Sequence, residues 1–267
     1  MKHFFYLILL SFCLTFITSC KKHTDAPAPS NKADIAAMMN KKWSTSIPAA
    51  RTATDPTASD FASFEFNASG NYFIIMADKS MVTGTFTVHT ADSIVTLFNG
   101  SSTTSQYGTL SISSITATQF VFQLTLNATV TPIDISTVAV TTSVGTSSDP
   151  SVNNTTKLAR SWKVDTYIQG TSSYTITAPL YAYAVFTENG TYWTETYNGT
   201  GTAIKNSGQW KWTDATQTQI CTSSTDVAPV CSGSGASITF DSNGNLIMSS
   251  TPTGQSTTTY YFSELTQ

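Results

Sequence analysis

Few residues in this chain could carry acid–base or nucleophilic chemistry. Glu65, Glu188 and Glu195 are glutamates set among its aromatic segments, and two such carboxylates suffice for glycoside hydrolysis. Glu65 lies between Phe64 and Phe66, so in a strand it points away from the face those rings bury. Glu188 falls in Thr187-Glu188-Asn189-Gly190, a turn sequence, which leaves Glu195 without a carboxylate partner. His89 ends the row Thr83, Thr85, Thr87, His89 and reads as a surface residue; every serine would need it as a base. The chain has no His-Glu-x-x-His, phosphate loop, Gly-x-Ser-x-Gly elbow or dinucleotide fingerprint. The expectation is a protein that is not an enzyme, with no catalytic residue, no cofactor and no metal.

The cysteines carry a different chemistry. Lys2 and His3 precede an apolar run, Phe4 to Phe16, too short for a bilayer span of roughly 20 helical residues. Ile17-Thr18-Ser19-Cys20, followed by Lys21-Lys22, resembles the lipobox of a bacterial lipoprotein. That resemblance implies a signal peptide over 1–19 and a lipid on Cys20. It places the chain in the cell envelope, attached to the outer membrane, with the side it faces left open. The alternative is an ordinary signal peptide cut near Ser19. Residues 20–32 then form the lipidated start and its tether, in which Ala26-Pro27-Ala28-Pro29 favours extended geometry. Cys13 leaves with the signal peptide. Cys221 and Cys231 remain, and in an oxidising compartment they read as a disulfide closing a local loop, worth about 2–3 kcal/mol. The alternative is two buried thiols.

Composition narrows the partners. Charged residues are 11% of the chain, against a usual share of about 25%. Ser and Thr take their place at roughly three residues in ten, which suits strands with polar outward faces. Hydrophobic residues at 40% can build a core. With a net charge of −3 and no basic cluster in the body of the chain, nucleic acid is excluded as a partner.

The middle of the chain repeats. Phe66-Asn-Ala-Ser-Gly70-Asn-Tyr72-Phe73 matches Phe186-Thr-Glu-Asn-Gly190-Thr-Tyr192-Trp193, with Trp43 and Trp162 upstream and Gly84-Thr-Phe86 and Gly208-Gln-Trp210 downstream. Two units follow, over 33–142 and 157–267, joined by a linker over 143–156. Each opens with a short helix. In the first, Ile35, Met38 and Met39 share a face and Lys41–Lys42 close the end. In the second, Thr155 caps the turn. Val82, Gly84, Phe86 and Val88 alternate with threonines, and Phe120, Phe122, Leu124 and Leu126 alternate with polar residues, as half-buried antiparallel strands do. Asn189-Gly190 and Asn243-Gly244 mark hairpins.

Leu158, Trp162, Phe186, Asn189-Gly190, Tyr192, Ser207-Gly208 and Trp210 together resemble the lipocalin-like domains of Bacteroidota lipoproteins. The resemblance implies an all-β fold of two tandem small antiparallel β-barrels or half-barrels, each opened by a short helix.

The two units differ where the first has Ala62, Phe64 and Phe66 and the second Ala182, Ala184 and Phe186. A benzyl group is lost, and either the tryptophans repack into the space or a pocket opens. Such a pocket would be lined by Ala184, Trp193, Trp210 and Trp212, with Glu195 as a polar contact. Tyr181 and Tyr183 would face outward, able to stack on sugars or a protein. The expected function is non-enzymatic binding of a small apolar molecule or a glycan by a membrane-anchored envelope lipoprotein. The alternative is an interaction subunit that docks a protein partner.

Overall fold

The structure is a computed structural model that describes residues 32–45, 57–89, 91–127, 131–140, 143–149, 151–225, 227–231 and 235–265. The expected signal peptide, Cys13, the lipidated Cys20 and all of the tether before Lys32 lie outside the described residues.

Strands dominate because β-branched and aromatic residues alternate with threonine and serine along most segments. After the first helix, Lys32–Met39, eight strands follow in order. They are β1 (Lys42–Thr45), β2 (Phe61–Phe66), β3 (Asn71–Met76), β4 (Met81–His89), β5 (Ile94–Asn99), β6 (Gln106–Ile115), β7 (Gln119–Leu126) and β8 (Ile133–Ala139). Each pairs antiparallel with the next, and β8 closes on β1, so the first unit is a closed barrel. The second helix, Asn154–Leu158, leads into β9 (Ser161–Gln169), β10 (Ser172–Thr175), β11 (Tyr181–Phe186), β12 (Thr191–Tyr197) and β13 (Ile204–Trp212). Then come β14 (Gln219–Ser223), β15 (Ala236–Phe240), β16 (Leu246–Ser250) and β17 (Thr258–Glu264). β17 returns to pair with β9, closing a second eight-stranded barrel to which β10 is added. β10 and β11 share one edge of β9: β11 takes Ser161 to Lys163 and β10 takes Thr166 to Gln169. Both units are therefore full barrels, with no half-barrel.

The duplication holds bond for bond. Trp43 Nε1 donates to Met39 O at 3.0 Å, and Trp162 Nε1 to Leu158 O at 2.9 Å, pinning each helix to its first strand. Phe66 N donates to Lys41 O and Phe186 N to Arg160 O, at 3.2 and 3.1 Å. Phe86 N donates to Gly70 O and Trp210 N to Gly190 O, at 2.8 and 2.7 Å. Gly70 and Gly190 hold φ of +82° and +87° in the two equivalent turns, the left-handed region that a side chain would strain.

Five local expectations change. Ile35 and Met39 face the first core, but Met38 is 37% exposed, because the helix offers only one narrow stripe. Lys42 does not cap the helix; it is the first residue of β1 and is buried opposite Glu65. The second helix is capped by Asn153, whose side chain accepts from Thr156 N. Thr155 lies inside that helix and its hydroxyl accepts from Trp212 Nε1 at 2.9 Å. The second helix begins within the segment read as linker, and the residues before it lie on the second barrel: Trp212 N donates to Val144 O, and Ser148 N to Ala215 O. In β2 a register shift between Phe61 and Ser63 puts Phe61 in the core and Ala62 on the outside.

Gly84 and Gly208 occupy equivalent places where strands cross at close range. A Cβ there would sit 1.8 Å from Phe98 O or Ser223 O respectively. Gly84→Ala and Gly208→Ala should each lower stability by more than about 2 kcal/mol in urea unfolding, since backbone must move. Gly254→Ala, with no atom within 4 Å and only its φ of +75° to strain, should cost about 1 kcal/mol. Equal losses at all three sites would contradict the close approach.

Candidate functional site

The residues read as one pocket divide between two faces. Ala184, Trp210 and Trp212 belong to the interior of the second barrel, with Trp162, Phe186 and Phe262. The Trp210 ring meets Trp212 edge-on at 5.5 Å and Phe186 at 6.0 Å, filling the space left by Ala184. Trp193 and Glu195 alternate with Tyr192 and Thr194 along β12 and so project outward.

Trp193 is nonetheless buried, because the outer face of β11–β12 packs on the first barrel. Val185, Trp193 and Tyr183 meet Ala62, Phe73, Ile75 and Met81 of the equivalent region of the first unit. Trp193 Nε1 donates to Lys79 O at 2.7 Å, and Asn189 Nδ2 to Phe66 O at 3.3 Å. Phe73 and Trp193 are equivalent residues meeting each other's barrel, as in an isologous contact between two copies.

Glu65 sits in this contact. Sequence correctly turns it away from Phe64 and Phe66, but outward here means into the second barrel, and it is 2% exposed. Burial pushes its carboxyl above the ordinary 4.5; the Thr187, Thr191 and Asn189 side chains and the Lys42 ammonium pull the other way without prevailing. Neither carboxylate oxygen closes a hydrogen bond of good geometry, so these groups act as nearby dipoles and charge. A perturbed carboxyl is a common mark of catalysis. This one has no solvent access and no second carboxyl beside it, so its chemistry is that of a buried interface group.

Glu195 has a different partner. Tyr181 donates its hydroxyl to Glu195 Oε1 at 2.8 Å, which raises the phenol above its ordinary value. Tyr181 stacks on Tyr183 at 4.9 Å and on Tyr197 at 5.6 Å. The row is half-exposed, but at its Tyr183 end it runs into the contact between barrels. Glu188 is exposed in its turn and accepts from Thr156. His89 is exposed and pairs with Thr96 Oγ1 at 2.9 Å. Among the described residues no group of three or more His, Cys, Asp or Glu could hold a metal.

The ends of the second barrel differ. Its helix end is sealed by Trp162, Trp210, Trp212 and the Gln217 side chain, which bonds to Asn154 and Thr155. Toward the other end the inward-facing positions become accessible: Ala182, Thr194, Met248 and Tyr260 are half-buried, and Thr196 and Asn206 are exposed. The same positions in the first barrel are apolar, with Ile74 where the second has Thr194, Met76 for Thr196 and Val82 for Asn206. Aromatic rings line this opening: Tyr167 stacks on Tyr174 at 4.7 Å and on Tyr260 at 5.8 Å. Exposed apolar residues rim it, with Leu180 and Ile204 at the strand ends and Val227 and Val230 in the loop closed by Cys221–Cys231. The disulfide joins Cα atoms 5.7 Å apart. The opening was legible only in the paired comparison of Ile74, Met76 and Val82 with Thr194, Thr196 and Asn206.

The Glu65 carboxyl makes a pH-dependent contribution. Its folded-state pKa is raised, so the folded chain holds a proton that the unfolded chain has released between 4.5 and the raised value. Its contribution is full below 4.5 and is lost as the pH rises through the raised pKa. The stability of wild type relative to Glu65→Gln should therefore fall as the pH rises above 4.5, measured by urea unfolding at each pH. A difference that stays constant would show a carboxyl ionising normally.

Comparison of the chain with protein-family models and with curated proteins returns no match.

Proposed function

We propose that this chain is a non-enzymatic binding protein of the cell envelope, anchored through lipid on Cys20, that takes a neutral saccharide into the open half of its second barrel. One observation carries the reading: the interior positions that are apolar in the first barrel become threonine and asparagine, and accessible, in the second. Hydroxyl and amide groups on β12 and β13, and the stacked Tyr167 and Tyr260 rings on β9 and β17, supply hydrogen bonds and stacking surface without a formal charge. That combination suits a sugar better than a fatty chain, which would leave Thr194 and Asn206 without partners.

Swapping the first barrel's residues into the second provides the test. Full-length protein carrying Thr194→Ile, Thr196→Met and Asn206→Val should lose affinity for neutral oligosaccharides by more than about tenfold in calorimetric titration, while its thermal midpoint holds or rises. No binding by wild type, or undiminished binding by the triple variant, would sink the saccharide reading. Binding of a fluorescent fatty acid alone would point to the small apolar molecule instead. The runner-up, docking of a protein partner, is favoured by the apolar rim of Leu180, Ile204, Val227 and Val230. The anchor is tested separately: Cys20→Ser should move the protein from the membrane to the soluble fraction, and a variant that stays in the membrane fraction would rule out the lipid anchor.

A further inference from the structure

The equivalent turns of the two barrels differ in what covers them. Beside Gly190 in the second barrel lies Val144, its Cγ1 3.0 Å from where a Cβ would sit; beside Gly145 lies the Trp212 Cβ at 3.6 Å. Val144 also accepts the Trp212 N–H at 2.8 Å, the next bond along the edge of β13 after Trp210 N to Gly190 O. The segment ahead of the second helix thus adds a short extended stretch to the barrel, over the turn and beside the helix.

In the first barrel the same place is a groove of about 430 Å³ lined by Ala36, Ala37, Ala68, Gly70, Phe86 and Val88. No described atom lies within 4 Å of a Cβ at Gly70. Phe86 N donates to Gly70 O, and the two-residue period of strand hydrogen bonding aims the Val88 N–H at the same edge, into the groove. The floor is small and apolar, fit to receive main chain.

We infer that this groove is the docking site of the chain's own residues 23–28, laid across it as Val144 and Gly145 are laid across the second barrel. The spacing that carries Trp43 to Trp162 and Met39 to Leu158 carries Asp25 to Val144. Asp25 O then accepts the Val88 N–H. Ala26, which precedes Pro27, is held extended by the proline ring, and Ala26 to Ala28 lie on the alanine floor. In sequence the segment precedes the first helix, Lys32–Met39, as Val144 precedes the second. A docked segment would leave only the few residues before His23 between Cys20 and the first barrel.

Hydrogen exchange on the full-length chain, followed by mass spectrometry, tests this. Peptides covering residues 23–28 and the Val88 amide should exchange at least about tenfold slower than an unstructured chain. Ala37→Arg, on the exposed side of the helix that walls the groove, should release both to the unprotected rate while β6 and β7 keep theirs. Unprotected residues 23–28 in the wild type would overturn the inference. So would protection that rises with protein concentration, which would assign the groove to a second copy. Protection that survives Ala37→Arg with β6 and β7 intact would do the same, placing the segment elsewhere.

Discussion

The bond from a buried tryptophan to the last turn of the helix before it is the contact on which each barrel depends. Trp43 and Trp162 are fully buried, so an unsatisfied indole N–H there would cost about 1–3 kcal/mol. The helix C-terminus supplies the acceptor, since its last carbonyls have no intrahelical partner. One contact thereby satisfies two needs and fixes the angle at which chain enters the first strand. Everything at that end follows in both copies: the bond from Phe66 or Phe186 back to the residue after the helix, the positive-φ glycine in the next turn, and the tight crossing at Gly84 or Gly208. A duplicated sequence can therefore drift widely elsewhere and still close.

The drift has gone in opposite directions on the two faces of one hairpin. On its outside, Glu65 and Val185 are equivalent residues, as are Phe73 and Trp193, and all four meet in the contact between barrels. A perfectly symmetric contact would have buried two carboxylates or two valines. The mixed pair keeps a single acid, with Lys42 beside it and the Thr187–Thr191 turn over it. The apolar cluster around Trp193 offsets that acid's desolvation, and the indole bond to Lys79 O fixes the register of one barrel on the other. Inside, the same hairpin carries Ile74 in the first unit and Thr194 in the second.

This explains which parts could be read from sequence. Landmarks tied to backbone geometry were legible: the two tryptophans, the turn glycines, the alternation in β4 and β7, the disulfide pair. Strand alternation also separated inside from outside correctly at Glu65, Trp210 and Trp212. It failed where the outside is itself buried, because nothing in a strand's own pattern says that a second barrel will cover it. Residue type groups Trp193 with Trp210 and Trp212, although its odd position on β12 sets it on the other face. Lys42 reads as a helix-end cation because its partner, Glu65, lies on the neighbouring strand, 23 residues on in sequence. The bulge in β2, which exchanges Phe61 for Ala62, leaves no trace in composition.

The asymmetry of the interiors bears on function more directly than any single residue. A buried Ile, Val or Met side chain contributes about 1.5–3 kcal/mol. Of the three first-barrel counterparts only Ile74 is fully buried, Met76 and Val82 being half-buried, so Thr194, Thr196 and Asn206 forgo less than three such contributions. The second barrel keeps its helix end packed, and its outer face is braced by the first barrel. The second barrel thus differs from its copy in the one interior region where threonine and asparagine stand in place of apolar side chains.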